Sequence, residues 1–126
     1  MEINNIEQSL SAAQLDMNTG IKLVKVTGDD KISVYAADIL PNTTLRPHYH
    51  MYDIETYQIL EGEGEMKVGW LVNNVVQWEE TFVAKKGDCF TIEAKMVHQI
   101  SNNEDSILRA IFTCPSSHVG HDRFFI

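Results

Sequence analysis

The sequence predicts an all-β domain, a sandwich or barrel of antiparallel strands with at most one short helix near its N-terminus. Three observations carry that expectation. From Ile21 onward, β-rich stretches of five to ten residues alternate with turn chemistry, which is the spacing of small antiparallel folds. No helical period appears after residue 20. The 126 residues supply enough chain for one core and not for two.

Residues 1–20 form an N-terminal segment in which Ser11-Ala12-Ala13-Gln14 has the Ser-x-x-Gln spacing of a helix cap, so a short helix is expected to end before Asn18 and Gly20. Residues 21–126 form the β domain. Strands are expected at 21–26, 31–40, 44–50, 55–61, 65–70, 75–84, 88–93, 97–102 and 106–113. Between them lie residues that tolerate turn dihedrals, among them Gly28-Asp29-Asp30, Pro41-Asn42, Gly62-Glu63-Gly64, Asn73-Asn74 and Gly87-Asp88. Period two places Met66, Val68 and Trp70 on one face and Glu65, Lys67 and Gly69 on the other, the pattern of a half-buried strand.

Charge and cysteine usage narrow the function classes. Eighteen acidic against ten basic residues give a net charge of -8, which repels phosphate backbones and anionic headgroups, so neither nucleic acid nor a membrane surface is an expected partner. No apolar run approaches the roughly 20 residues of a membrane span, and the start Met1-Glu2-Ile3-Asn4-Asn5 lacks the features of a signal peptide, so a cytoplasmic protein is expected. The two cysteines, Cys89 and Cys114, have no C-x-x-C spacing and are read as reduced thiols.

The histidines carry the chemistry. Residues two apart on a strand share a face, so His48 and His50 can offer both imidazoles to one point. Glu55 lies an odd step beyond His50, so residues 51–54 must bend to bring it inward. His98 has to arrive from another strand. Three imidazoles and a carboxylate suit iron, manganese, nickel, copper or zinc and leave positions open for water or substrate.

At these residues the chain resembles the cupin superfamily. The first cupin motif, Gly, five residues, His-x-His, three or four residues, Glu, six residues, Gly, is matched by His48, His50, Glu55 and Gly62, with Asn42 standing where the leading glycine belongs. The second, Gly, five residues, Pro-x-Gly, two residues, His, three residues, Asn, is matched by Gly87, His98 and Asn102. Glu93 and Lys95 replace its proline and second glycine, which leaves the geometry of that turn open.

The resemblance implies a single jelly-roll barrel and one divalent transition metal per chain, held by His48, His50, Glu55 and His98. It implies a small-molecule substrate and a homodimer, to which strands before Thr44 could contribute an exposed edge. Among the activities implied, dioxygenase-type chemistry is favoured by the three-His, one-Glu set. Lewis-acid sugar or keto-acid isomerases and epimerases and decarboxylases come next, followed by a non-catalytic small-molecule binder or a structural cupin whose metal is only a staple.

Two further residues are catalytic candidates. Arg46 shares the strand parity of His48 and could hold a carboxylate or phosphate at the pocket mouth, where a solvated arginine is the competing reading. Tyr57 shares the inward face of Glu55 and could donate a proton to a ligand, with packing as its competing role. His118 and His121 fall in a tail after the last strand, where they could fold over the barrel mouth, with a flexible tail as the preferred reading. Glu79 and Glu80, adjacent on a strand, face opposite ways and are read as solubility charges, and Cys89 as structural.

Overall fold

The computed structural model describes residues 1–126, and its first departure from expectation is the N-terminal helix. Helix α1 runs Ile6–Ala12, with Asn5 as its cap accepting from the Gln8 amide at 3.0 Å. The Ser11 to Gln14 spacing therefore starts no helix: Ser11 lies inside α1, and the chain is extended again at β1, Leu15–Asp16. Packing decides this placement, because Ile6 and Leu10, one helical turn apart, share a face and meet Val24, Val26, Val34, Ala36 and Ile111 on the outside of a sheet.

The remaining elements are β2 Ile21–Gly28, β3 Ser33–Ile39, β4 Thr43–Thr44, β5 His48–Tyr49, β6 Glu55–Glu61, β7 Glu63–Val72, β8 Val75–Lys85, β9 Cys89–Ile92, β10 Val97–Asn102, β11 Leu108–Cys114, a 3-10 turn Ser116–Val119 and β12 Phe124–Phe125. One sheet has the order β1-β2-β3-β11-β6-β9. The other has β12-β5-β10-β7-β8, with β4 also on β10. All of these pairings are antiparallel. The two sheets form a jelly-roll sandwich, and no ladder of hydrogen bonds closes them into the continuous barrel that the sequence suggested.

The core fills the space between the sheets with Tyr35, Ala37, Ile39, Tyr57, Ile59, Met66, Val68, Ile92, Ile100, Leu108 and Phe112 among its members. Strand β3 is buried on both faces because α1 covers its outer side, which is why its sequence lacks alternation. Asn73 and Asn74, at φ +53° and +62°, turn the β7–β8 hairpin in two residues.

Two strands differ from the sequence reading. The expected strand 44–50 is split into β4 and β5 at Pro47, which has no N–H for a ladder. In β7 the register shifts between Val68 and Gly69, leaving Glu79 unpaired on β8. Met66 and Val68 are core residues, while Trp70, beyond this bulge, is outside the core and donates its indole N–H to Glu79, the extra residue on β8, at 2.6 Å.

The two motif turns keep their geometry. Asn42 and Lys95, at glycine positions of the motifs, have φ of +56° and +69°, the left-handed region a glycine would occupy. The Lys95 amide donates to the His50 carbonyl at 2.6 Å, tying the turn before β10 to the chain that carries the first histidines. Asn102 is fully buried, and its amide nitrogen donates to the carbonyls of Ile39, Leu40 and Ser106. That contact joins the end of β3 to the β10–β11 connection.

Candidate metal centre

His48 and His98 face each other across the β5–β10 ladder, with ring centres 4.2 Å apart. His50 follows β5 directly. Residues 51–54 then bend, with Asp53 at φ +66°, and Glu55 opens β6 with its carboxylate turned inward, Oε2 standing 2.8 Å from His50 Nε2 and 3.8 Å from His98 Nε2. His50, Glu55 and His98 are buried and His48 is half-buried.

A fourth histidine joins them. The tail is not a free end: the 3-10 turn after β11 puts His118 beside Glu55, 2 % exposed, with its ring stacked on His50 at 4.0 Å and 1°. His118 Nδ1 lies 3.5 Å from Glu55 Oε2. Asp122 fastens this arrangement, since its carboxylate accepts from the Met51 and Tyr52 amides at 2.7 and 3.1 Å and its carbonyl accepts from His50 Nδ1 at 2.6 Å. Beyond it, β12 pairs with β5, placing Phe125 opposite His48. His121 stays exposed, away from the cluster.

Backbone carbonyls fix each of the four clustered imidazoles. A carbonyl only accepts, so His48 Nδ1 donates to Arg46 (3.3 Å), His50 Nδ1 to Asp122, His98 Nδ1 to Met96 (3.1 Å) and His118 Nε2 to Tyr52 (2.6 Å). In each neutral ring the other nitrogen then carries a lone pair toward the centre. His50 Nε2, Glu55 Oε2, His98 Nε2 and His118 Nδ1 are all buried without a hydrogen-bond partner, despite standing close together. Buried acceptors facing one another repel unless a positive charge lies between them. Imidazoles oriented by backbone carbonyls, with their free nitrogens gathered around a carboxylate, are a donor set able to hold a metal ion. His48, His50 and His98 form one group of donors within metal-sharing distance, and His50, Glu55 and His118 form another.

The electrostatics follow from burial and these neighbours. Burial, then His98 and His50, pulls the His48 imidazole down to about 3, and burial also lowers His98, so both are neutral at pH 7. Burial alone would raise the Glu55 carboxyl, but His118 and His50 opposite it hold it well below the usual carboxylate range. Burial would lower His118, yet Glu55 and the Tyr52 carbonyl carry it above its ordinary value.

Tyr57 and Arg46 stand on the same cavity, which has a volume of about 140 Å³ and includes His48, His50, Glu55 and His118 in its walls. That volume holds roughly four or five waters. Tyr57 packs between Phe90 and Phe112, with ring centres at 5.0 and 4.6 Å, and burial followed by Glu55 pushes its phenol well above its usual value. Arg46 is exposed at the mouth, where its Nε donates to the Ile126 carbonyl and its guanidinium lies over the Phe125 ring at 5.3 Å; Arg123 lies over the same ring at 5.1 Å. Glu79 and Glu80 are both exposed on β8 and do not line this cavity, and Cys89 is an exposed thiol at the start of β9.

Sequence reasoning ranked a flexible tail ahead of a folded one for His118 and did not single out Asp122. The signal available was the apolar end Phe124-Phe125-Ile126, which a solvated tail has no reason to carry, and an aspartate four residues after the histidine.

A family model described as "Cupin domain" matches residues 36–114. No curated protein matches the sequence significantly. Among solved structures, KdgF from Halomonas sp. is 16 % identical with a TM-score of 0.72, over 90 % of this chain and 94 % of that one. The TT1209 protein from Thermus thermophilus is 22 % identical with a TM-score of 0.72, over 91 % and 98 %. An oxalate oxidase in complex with the substrate analogue glycolate is 19 % identical with a TM-score of 0.73, over 94 % of this chain and 61 % of that one. Identities this low speak to the shared fold. No helix of the chain is long and apolar enough to cross a membrane.

Proposed function

Because this chain belongs to the cupin family, we propose that it is a metal-dependent enzyme acting on a small carboxylate-bearing molecule, with dioxygenase-type chemistry as the reaction. The observation that carries the reading is the set of buried, unpartnered donor atoms on His50, Glu55, His98 and His118. A divalent metal held by His48, His50, Glu55 and His98 would supply Lewis acidity and, if redox-active, a place for dioxygen.

The chain's own residues do the rest. The cavity is smaller than the several hundred Å³ of a drug-sized pocket, which restricts the substrate to a few carbon atoms. Arg46 and Arg123 place two guanidiniums at the mouth of a protein whose net charge is -8, so the entrance favours an anion that the surrounding surface repels. Leu23, Leu45, Phe112 and Val119 line the walls and keep water from the reacting centre. Tyr57, held protonated at neutral pH, offers its hydroxyl as a hydrogen-bond or proton donor to a substrate oxygen. The oxalate oxidase with bound glycolate, a neighbour in fold, is in keeping with a small carboxylate at such a centre.

The test begins with elemental analysis of protein purified without a nickel column, beside His98→Ala prepared in parallel. About one redox metal per wild-type chain, lost in the variant, is expected. Iron-loaded protein should then consume oxygen with a member of a panel of small keto, hydroxy and dicarboxylic acids. Absence of uptake across the panel ends the dioxygenase reading. Zinc as the only metal, with turnover that needs no oxygen, replaces it with Lewis-acid isomerase or decarboxylase chemistry.

A further inference from the structure

The tail, as well as the strands, brings an imidazole to Glu55. Three observations define what it can do there. The His118 Nε2 hydrogen is committed to the Tyr52 carbonyl at 2.6 Å, so in the neutral ring Nδ1 bears the lone pair. That lone pair faces Glu55 Oε2 at 3.5 Å, and both atoms are buried without a hydrogen-bond partner. His118 stacks on His50 with ring centres 4.0 Å apart, and His50 Nε2 and His118 Nδ1 stand 2.8 and 3.5 Å from the same Glu55 oxygen.

Nothing about the position is incidental to the backbone. Asp122 accepts two amides from residues 51 and 52 and one imidazole N–H from His50, so the tail and the bend before Glu55 are fastened to each other at the point where the donors meet. The two donor groups share His50, and Glu55 Oε2 reaches His98 Nε2 at 3.8 Å, so the two groups adjoin.

We propose that His118 is a fifth protein ligand, binding the metal through Nδ1 beside His48, His50, Glu55 and His98. An ion at this site would then be held by four imidazole nitrogens and a carboxylate oxygen, which would leave fewer positions for an exogenous ligand than four protein ligands do. The C-terminal tail thus sets how many small molecules the metal can hold at once. This inference rests on the metal-centre reading, and its test separates the two.

The experiment is proton NMR of the cobalt(II)-loaded protein, in which each coordinated imidazole shows its remaining N–H as a strongly shifted signal that vanishes in deuterated water. Wild type is expected to show one such signal for each of His48, His50, His98 and His118, and His118→Ala to lose one. Three signals in wild type, all kept in His118→Ala, would make His118 an orienting partner of Glu55 and overturn the inference while leaving the metal centre standing. The wild-type spectrum decides this even where the variant folds poorly. If wild type binds no cobalt, the metal-centre reading fails and takes this inference with it. Chelator competition gives a second readout: the cobalt dissociation constant should rise at least about tenfold in His118→Ala. An unchanged constant overturns the inference.

Discussion

The strand-borne wall of the centre and its tail-borne side reach one carboxylate by different means. His48 and His98 occupy paired positions of an antiparallel ladder, and β10 is bonded to β4, β5 and β7, so their placement is inherited from the sheet. His118 sits on a single 3-10 turn held by side-chain contacts, chiefly those of Asp122, and by the short pairing of β12 with β5. Ladder positions open only with the fold as a whole, whereas a turn held by a few contacts opens at a fraction of that free energy. The wall should therefore answer to changes of ligand chemistry, and the tail to changes of its fastening.

The largest effect is expected at the wall. His98→Ala should abolish stoichiometric metal binding, and saturating metal should no longer raise the melting temperature. In wild type, metal at about a thousand times its dissociation constant contributes about 4 kcal/mol. Calorimetry of both proteins with and without metal checks this. An equal rise in the variant would mean that the ion binds elsewhere.

The tail comes next. Asp122→Ala removes a buried carboxylate that accepts from the Met51 and Tyr52 amides, each bond of this charged kind being worth about 1.5–3 kcal/mol. A loss of about 3 kcal/mol is expected in urea unfolding. Native-state hydrogen exchange should locate it: the Met51 and Tyr52 amides lose protection well beyond what the global change explains, while Ile100 in β10 follows the global change alone. Uniform loss at all three sites would erase the distinction between wall and tail.

Much of this was legible in the sequence, and the boundary of legibility follows the same division. Strand parity placed His48 and His50 together, and turn residues such as Asn73-Asn74 marked a hairpin that the structure contains. Alternation stopped being a guide where the ladder is interrupted, at Pro47 and at the β7–β8 bulge, beyond which Trp70 is outside the core. The start of α1 was obscured for another reason: its register is set by Leu10 packing on the outside of β2, β3 and β11, a contact across the fold that a local cap signal at Ser11 cannot report. His118 belongs to that second kind. Its partners are residues 52 and 55, more than sixty positions away in the chain, and no period or spacing links them.

A smaller effect uses the two cysteines as reporters. Cys89 is exposed, while Cys114 is buried on the cavity wall with His118 and Val119, where burial and the Glu55 charge push its thiol up to about 12 from an ordinary 9.0. At pH 8, iodoacetamide should label Cys89 rapidly and Cys114 only through opening, faster in Asp122→Ala than in wild type. The sign for stability follows from linkage: above pH 9 the unfolded chain releases the Cys114 proton while the folded one keeps it, so stability falls as pH rises from 9 toward 12. A Cys114→Ala variant should show a shallower fall over that range, and an identical one would mean that other groups govern it.

The smallest effect returns to the wall, at the turn that precedes His98. Lys95 holds φ at +69°, where a side chain costs about 1–2 kcal/mol relative to right-handed backbone. Glycine removes that strain but gives up about 0.5–1 kcal/mol of chain entropy on folding. The balance favours Lys95→Gly by about 1 kcal/mol or less, read as a higher urea midpoint at unchanged slope. Asn42→Gly should gain less, because asparagine tolerates its φ of +56° better than lysine does. Metal affinity should not move in either variant, since the Lys95 amide that binds the His50 carbonyl belongs to the backbone and survives the change. A lower midpoint for Lys95→Gly would show that the lysine side chain contributes to the turn, whereas a higher one would show that β10 and its ladder hold the turn in a conformation its own sequence resists.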